Sequence, residues 1–239
     1  EWAFSCCRSL ELVINFSNLE IKKGEEDNGG VAYYANRIIT ADDRIGDWFF
    51  RMINGKPHVS EYLDKDATEL VLPRSYRGEN YGIMEYAFAG KPELRKISIP
   101  DSVINVGCSA FYNCEGLTEV HITNLSAWCN IDFSGPSANP LSFAKHLYLN
   151  GKELTDLVIP EDVTNIGIYT FYGWTNLKNL TIGSSVIGIG DYAFGDCIGL
   201  ANVYITDFPA WCNIAFSGIY SNPLNFAKSL YVNGKEIIE

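Results

Sequence analysis

The sequence predicts a right-handed solenoid of short, strand-dominated coils that stack through a parallel β-sheet. Three short repeats predict this fold, because residues 94–116, 154–176 and 177–199 are equal in length and align without gaps. Two longer units, 117–153 and 200–236, match each other at most of their positions, so one long unit and two short ones form a superrepeat. Such self-similarity is typical of solenoids, in which each repeat buries its apolar face against its neighbours.

The first part of each short repeat predicts a strand. Its pattern is L-x-x-[IL]-x-I, and in residues 94–99 it places Leu94, Ile97 and Ile99 toward the core. Lys96 and Ser98 alternate with these residues and point outward, as on a strand with one buried face. Each coil should therefore add one strand to a parallel sheet.

The second part of each short repeat predicts a brief extended run and a tight turn. Val103 and Val106 stand three positions apart, and Ala110, Phe111 and Cys114 have the spacing of one helical or 3₁₀ turn. Stacked coils should then align their phenylalanines as a ladder inside the solenoid. The expected members of the ladder are Phe4, Phe88, Phe111, Phe171 and Phe194.

The two long units predict additional elements. Residues 125–131 and 140–146 resemble short helices, and residues 147–154 predict a hairpin that turns at Asn150-Gly151. The second long unit repeats this hairpin at residues 230–237. We expect both hairpins to be insertions, which cluster on one face of a solenoid.

The N-terminal part follows the repeat less closely. Residues 20–66 form an irregular segment that contains a hairpin, predicted by Asn54-Gly55 between two β-type runs. Residues 10–16 resemble a strand, and residues 3–7 align with the turn of the short repeats. We expect one solenoid over residues 1–239, a slice of a longer array that continues upstream of a chain without a signal peptide. Its repeats are 67–93, 94–116, 117–153, 154–176, 177–199 and 200–236.

Composition excludes several classes of function. Eighteen lysines and arginines face 29 aspartates and glutamates, so the net charge is −11. This balance argues against nucleic-acid binding, which requires clustered cations, and against docking to anionic lipid. No apolar run approaches the roughly 18 residues of a membrane span, so we expect no membrane insertion.

The cysteines favour packing roles over chemistry. Their number, seven, leaves at least one unpaired. Most recur at two repeat positions, which favours small buried hydrophobic residues over nucleophiles or disulfides. These are Cys7, Cys114 and Cys197 at one position, and Cys129 and Cys212 at the other. Cys6 and Cys108 have no such explanation.

Little else in the sequence indicates catalysis. His58, His121 and His146 have no partner at metal-ligand spacing, and the common hydrolase, nucleotide and calcium motifs are absent. We therefore expect no enzyme activity, no metal site and no cofactor. Trp128 and Trp211 could stack on sugars, but their equivalent spacing favours anchors of the predicted short helices.

The repeats resemble the BspA-like leucine-rich repeats of bacterial surface and secreted proteins, a Bacteroidetes-type family. The signature L-x-x-[VI]-x-[IL]-P-x-[ST]-V-x-x-I-G-x-x-A-F-x-x-C is almost complete at 94–114 and weaker at 154–174 and 177–197. Lys91 and Trp174 depart from it at Cys positions. The resemblance implies a leucine-rich-repeat solenoid, α/β by convention, with short 3₁₀ or helical turns. It also implies an extracellular or cell-surface location.

The outward strand face is the best candidate binding surface. It consists of two stripes of side chains that alternate with the core residues. The first stripe continues from Val71 through Ser98, His121, Val158, Thr181 and Tyr204. The second continues from Glu69 through Lys96, Glu119, Asp156, Asn179 and Asn202.

Three functions are compatible with such a surface. We expect a non-catalytic module that recognises a host or microbial protein or glycan, as an adhesin does. A structural spacer that presents another domain is the alternative. A glycan-binding or glycan-cleaving domain would require two facing carboxylates about 5–10 Å apart.

Overall fold

A computed structural model describes residues 12–17, 21, 35 and 37–237. The chain divides into two compact units, Glu1–Leu63 and Asp64–Glu239. Residues 3–7, which the sequence aligns with the repeat, lie outside the described part, and so do Phe4, Cys6 and Cys7.

The first unit contains five described strands. β1 and β2 pair in parallel, and β3, β4 and β5 form an antiparallel meander. Asn54 and Gly55 turn the chain between β4 and β5 with φ of 51° and 75°, as a tight hairpin loop requires. The strands are β1 Leu12–Asn15, β2 Arg37–Thr40, β3 Asp43–Ile45, β4 Trp48–Ile53 and β5 Lys56–Tyr62.

The second unit is the strand-dominated solenoid that the repeats predict. One side of it carries two five-stranded sheets, which we call the first and second front sheets. The first comprises β6 Glu69–Val71, β8 Lys96–Ile99, β10 Glu119–Ile122, β12 Leu147–Leu149 and β13 Lys152–Leu154. The second comprises β14 Asp156–Val158, β16 Asn179–Ile182, β18 Asn202–Ile205, β20 Ser229–Val232 and β21 Lys235–Ile237.

The hairpins of the long units are parts of these sheets rather than insertions beside them. β12 pairs in parallel with β10, with Val120 opposite Leu147, so it continues the sheet after a longer coil. β13 then pairs antiparallel with β12 at the end of the first front sheet. β20 and β21 repeat this arrangement in the second front sheet.

Shorter strands form the other side of the coils, which we call the back sheets. They pair in parallel from one coil to the next, for example with Gly188 opposite Ala215. The strands of the first half are β7 Tyr81–Ile83, β9 Val103–Val106 and β11 Asp132–Phe133. Those of the second half are β15 Asn165–Ile166, β17 Gly188–Ile189 and β19 Ala215–Phe216.

Short helices occur in the long units, as predicted, but they span fewer residues than the predicted ranges 125–131 and 140–146. They are α1 Leu125–Cys129, α2 Leu141–Ala144 and α3 Phe208–Cys212, with 3₁₀ turns at Pro136–Ala138 and Pro223–Asn225. The side chain of Asn124 accepts a hydrogen bond from Ala127 N at 3.0 Å and caps α1. Asp207 caps α3 in the same way, at the equivalent position of the second long unit. These caps satisfy backbone donors that would otherwise lack partners.

The phenylalanine ladder forms two pairs instead of one continuous column. Phe88 and Phe111 lie 5.3 Å apart between ring centroids, and Phe171 and Phe194 lie 5.4 Å apart. Phe111 N donates to Ser137 O, just as Phe88 N donates to Ala110 O in the preceding coil. This register places Ala138 in the next position of the column, so the long unit interrupts the ladder.

The cysteines follow their predicted packing roles with one exception. Cys114, Cys129 and Cys197 are buried, and the thiols of Cys114 and Cys197 donate to backbone carbonyls one coil away. Cys212, which repeats Cys129, is exposed, so the expectation that it is buried is wrong. Further coils follow the one that contains α1 and Cys129, whereas α3 and Cys212 lie in the last coil described. Cys108 is also exposed.

Candidate functional site

The outward side chains of each front sheet form a cross-strand row. In the first front sheet, Val71 lies opposite Ser98 and Ser98 opposite His121. The row then continues through Tyr148 to Glu153. Because strands hold neighbouring residues about 4.8 Å apart, these five side chains form one contiguous strip, which we call row 1.

The second front sheet repeats this strip. Val158 lies opposite Thr181, and Thr181 opposite Tyr204. Tyr231 and Glu236 complete the strip, which we call row 2. All its members except Val158 are related to their row 1 counterparts by the superrepeat. The six residues of the predicted stripe are therefore divided three and three between two rows, because β12 and β13 follow His121 in the first sheet.

Tyr148 and Tyr231 belong to this face, although neither is in the stripes that the sequence predicts. Both stand in an alternating triplet, Leu147-Tyr148-Leu149 or Leu230-Tyr231-Val232, which has the pattern of a front strand. The superrepeat marks the two triplets as equivalent. The spacing of the short repeats does not predict these strands, because the interval from Val120 to its partner Leu147 is longer than the interval from Ile97 to its partner Val120.

An aromatic pair stands next to the acidic end of each row. The rings of His121 and Tyr148 are stacked, with centroids 4.5 Å apart and an interplanar angle of 4°. The rings of Tyr204 and Tyr231 are stacked with centroids 4.8 Å apart and an interplanar angle of 21°. Desolvation, Glu153 and Glu119 raise the pKa of Tyr148. Desolvation, Glu236 and Tyr204 raise the pKa of Tyr231. Both phenols therefore stay protonated at neutral pH, and the Tyr231 hydroxyl forms a hydrogen bond with Glu236.

The second predicted stripe is also divided between the two sheets. In the first, Lys96 Nζ lies 3.6 Å from Glu69 Oε2, and Glu119 Oε2 lies 2.7 Å from His121 Nε2. Surface pairs of this kind contribute little to stability.

In the second front sheet this stripe is a ladder of amides. Asn202 donates to Asn179 Oδ1 at 2.8 Å, and Asn179 donates in turn to Asp156. The ladder holds its three side chains in fixed positions beside row 2. Its outer face is therefore polar and preorganised, which limits the entropy that a bound partner would have to overcome.

Glu153 connects row 1 to the next coil. Its Oε1 lies 2.6 Å from His146 Nδ1 and accepts a hydrogen bond from Asn176 Nδ2 at 2.7 Å. The carboxylate at the end of the row is thus held by two neighbours. A partner would meet a fixed negative charge at this end.

A groove borders row 1 at the carboxyl end of its strands. Its volume is about 520 Å³, and it is lined by Val71, Ser98 and His121 from the row together with Arg74, Asp101 and Asn150. The groove therefore joins three of the predicted residues to one cation and one carboxylate. Such a mixed lining suits polar side chains of a partner.

Three further features of the described residues bear on function. Among them, no group of three histidines, cysteines, aspartates or glutamates is placed to hold a metal ion. Within the same residues, no helix is long and apolar enough to cross a membrane. Trp128 is buried, and its Nε1 donates to Thr170 O at 3.1 Å, so it anchors α1 as expected.

Comparison with protein families identifies the repeats. A model of the BspA type leucine rich repeat region matches residues 81–147 and 141–232, in six copies. Together these matches span more than half of the chain. Among curated proteins, none matches it.

Several solved bacterial structures are similar to the chain. A leucine rich cell surface protein from Faecalibacterium prausnitzii is 23% identical, with a TM-score of 0.46, over 77% of this chain and 46% of that protein. A leucine rich repeat protein from T. pallidum is 21% identical, with a TM-score of 0.41, over 80% of this chain and 85% of that protein. A leucine-rich repeat protein from Eubacterium ventriosum is 18% identical, with a TM-score of 0.43, over 95% of this chain and 58% of that protein.

Proposed function

Because this chain belongs to the BspA-type leucine-rich repeat family, we propose that it is a non-catalytic interaction module of a bacterial surface or secreted protein. The family is typical of bacterial surface proteins and indicates a role in protein interaction. We assign the binding surface to rows 1 and 2, and adhesion to a host or microbial protein as the purpose of that binding.

The observation that carries this proposal is the duplicated aromatic pair. Each front sheet presents two stacked rings on rigid strands beside a carboxylate, Glu153 in row 1 and Glu236 in row 2. Aromatic residues are enriched at protein interfaces because they bury a large area and lose few rotamers. Flanking charges add specificity and speed encounter.

A protein partner fits this surface better than a glycan. Within each pair the rings cover one face of each other, at 4.5 Å for His121 and Tyr148 and 4.8 Å for Tyr204 and Tyr231. Sugar recognition by stacking requires a free ring face, and on the other side His121 has Ser98 as its neighbour and Tyr148 has Glu153. An extended row of partly buried side chains is instead suited to a flat or convex protein surface.

A binding screen with a front-face variant tests the proposal. The purified chain is applied to arrays of host matrix proteins, cell-surface proteins and glycans, beside a variant with His121, Tyr148, Tyr204 and Tyr231 each changed to Ser. A variant with Tyr86→Ser and Tyr112→Ser is the matched control, because these exposed tyrosines lie outside both rows. Ser109 already occupies the repeat position of Tyr86, so serine is tolerated there.

We expect saturable binding to a protein that the front-face variant weakens at least tenfold and the control leaves unchanged. Equal binding by the parent and the front-face variant would reject rows 1 and 2 as the binding surface. The absence of binding by a folded chain on every array would favour the spacer.

A further inference from the structure

Four tyrosines form a cluster on the turns of the second half of the solenoid, three of them half-buried and Tyr220 exposed. The ring of Tyr192 is stacked between those of Tyr169 and Tyr220, with centroid distances of 5.2 Å and 4.7 Å. Tyr172 contacts Tyr169 and Tyr192 edge-on, at 5.5 Å and 6.3 Å. The four residues, which we call the tyrosine cluster, come from three successive coils. They lie outside rows 1 and 2 and have no role in the proposed front-face binding.

The fold does not require tyrosine at these positions. Tyr169 and Tyr192 occupy the left-handed region with φ of 56° and 54°, as do Tyr86 and Ser109 in the earlier coils. The turn therefore imposes this backbone whatever the side chain, and glycine or asparagine would adopt it at lower cost. Ser109 interrupts the column in the first half, whereas the second half places two tyrosines in succession. Their presence is better explained by the surface that they create.

Neighbouring residues are arranged around the rings. A Cβ on Gly195 would lie 2.8 Å from Tyr172 Cδ2 and 3.1 Å from Tyr192 Cδ1, so this glycine makes room for both rings. The Tyr172 hydroxyl donates to Asp196 Oδ2 at 2.5 Å. Tyr192 N donates to Asp191 Oδ1 at 3.0 Å. The cluster thus carries two fixed carboxylates.

The charge around the cluster is one-sided. Residues 153–227 contain seven carboxylate side chains and a single cation, Lys178. Within the described part of the chain, neither Asp191 nor Asp196 forms an ion pair. The pKa of Tyr172 is raised to about 12 by burial and by Asp196, so its phenol stays neutral. Aromatic surface and uncompensated negative charge therefore coincide.

Part of the cluster remains open to solvent. Tyr220, at the end of the stack, is 40% exposed, and the adjacent Ile219 is 74% exposed. Lysine and arginine pack their aliphatic stems along such surface while their charged heads reach nearby carboxylates. A guanidinium or ammonium can also lie over a ring face. The chemistry of the patch thus complements a cationic, flexible chain.

We propose that the tyrosine cluster, with Asp191 and Asp196, is a second binding surface that takes an arginine- or lysine-rich segment of a partner protein. The cationic stems lie along Tyr220 and Ile219, and the heads pair with the two carboxylates. This surface acts independently of rows 1 and 2.

Peptide binding to charge-neutral variants tests this assignment. The probe is a labelled peptide of alternating arginine and glycine, titrated at two salt concentrations against the whole chain. The variant Asp191→Asn with Asp196→Asn removes both charges but keeps an oxygen to accept from Tyr192 N and the Tyr172 hydroxyl. The control, Glu79→Gln with Glu115→Gln, removes two charges from exposed positions in earlier coils. Tyr220→Ala removes the open ring.

We expect saturable binding that the Asp191→Asn/Asp196→Asn variant and Tyr220→Ala each weaken about five- to tenfold, while the control stays within twofold of the parent. Equal losses in the control and the paired aspartate variant would mean diffuse attraction to an acidic chain and overturn the proposal. Absence of peptide binding would overturn it too. Binding of a glycan that depends on Tyr220 but not on the aspartates would assign the cluster to sugars instead.

Discussion

At the scale of single residues, glycines mark where the backbones of successive coils approach. An added Cβ on Gly190 would lie 2.6 Å from Ile168 N and 2.7 Å from the Gly167 carbonyl carbon, both atoms of the backbone. Gly183 stands at the proline position of its repeat, and its nearest neighbour would be Thr206 Oγ1 at 3.8 Å. The first glycine is required by stacking, whereas the second is not.

We therefore predict opposite outcomes for two glycine substitutions. Gly190→Ala should lower the free energy of unfolding by about 1–3 kcal/mol, because the backbone of the adjacent coil must shift. Gly183→Ala should change it by less than about 0.5 kcal/mol. Chemical unfolding of both variants measures the difference. Equal losses of stability in the two variants would contradict the predicted difference between the two glycines.

Buried thiols predict a loss of stability at alkaline pH. Burial raises the pKa of Cys129 and Cys197 to about 12 from an ordinary value near 9. Below about pH 9 the thiols are protonated in both states and have no effect on the balance. As the pH rises from 9 toward 12 they ionise in the unfolded chain first, so the free energy of unfolding falls. Each thiol contributes up to about 1.4 kcal/mol per pH unit.

Urea unfolding at pH 8, 9 and 10 measures this fall. A variant with Cys129→Ala and Cys197→Ala should be less stable at pH 8 but show a shallower decline. Cys108→Ala is the control, because it removes a thiol that is exposed rather than buried. A double variant as steep as the parent would contradict the role assigned to the buried thiols.

The burial of single residues could be predicted wherever the short repeats keep strict alternation of apolar and polar residues. The alternation predicts that Leu94, Ile97 and Ile99 point inward, and all three are buried. Lys96 and Ser98 alternate with them on the outer face. The repeat alone specifies this pattern because each position faces the same position one coil away. It could not specify the tyrosine cluster, since Tyr220 comes from a long unit whose alignment with the short repeats is not visible in its sequence.

At the scale of elements, the duplicated helices show which local interactions the superrepeat keeps. Asn124 caps α1 through Ala127 N, and Asp207 caps α3 through Ala210 N at 2.9 Å. The two residue types differ but supply the same acceptor. We infer that the cap, not the residue, is the required feature.

Substitution of the first cap should reveal its contribution. Asn124→Ala removes the acceptor for Ala127 N and should lower the free energy of unfolding by about 1 kcal/mol. Asn124→Asp copies the residue of the second long unit and should stay close to the parent. Chemical unfolding distinguishes them, and an alanine variant as stable as the aspartate variant would argue against a capping role.

The elements themselves were predictable, but their partners in the sheets were less so. The Asn-Gly pairs at 150–151 and 233–234 indicate hairpins, and both turn with positive φ at each residue. No local pattern reveals that β12 extends the parallel sheet while β13 reverses at its edge. That pairing depends on the longer coil between Val120 and Leu147, and only tertiary contacts define its register.

At the scale of the whole chain, the second unit carries one proposed recognition strip, row 1 or row 2, on each front sheet. The superrepeat relates all but the first position of the two strips, including the aromatic pairs. Duplication of this kind suits a repetitive partner or one bound with avidity, because two linked contacts exceed the strength of either. The tyrosine cluster adds a different chemistry on the turns of the second half.

Site-specific photo-crosslinking tests the central claim, that the front sheets are the binding surface, most directly. A photoreactive amino acid is placed at Val71, at Val158 or at Ile187, with the partner from the binding screen present. The three side chains are similarly exposed, at 65%, 62% and 60%, but Ile187 lies beside β17 of the second back sheet. We predict crosslinks to the partner from positions 71 and 158 and none from 187. Crosslinking from position 187 alone, or equally from all three, would contradict the account.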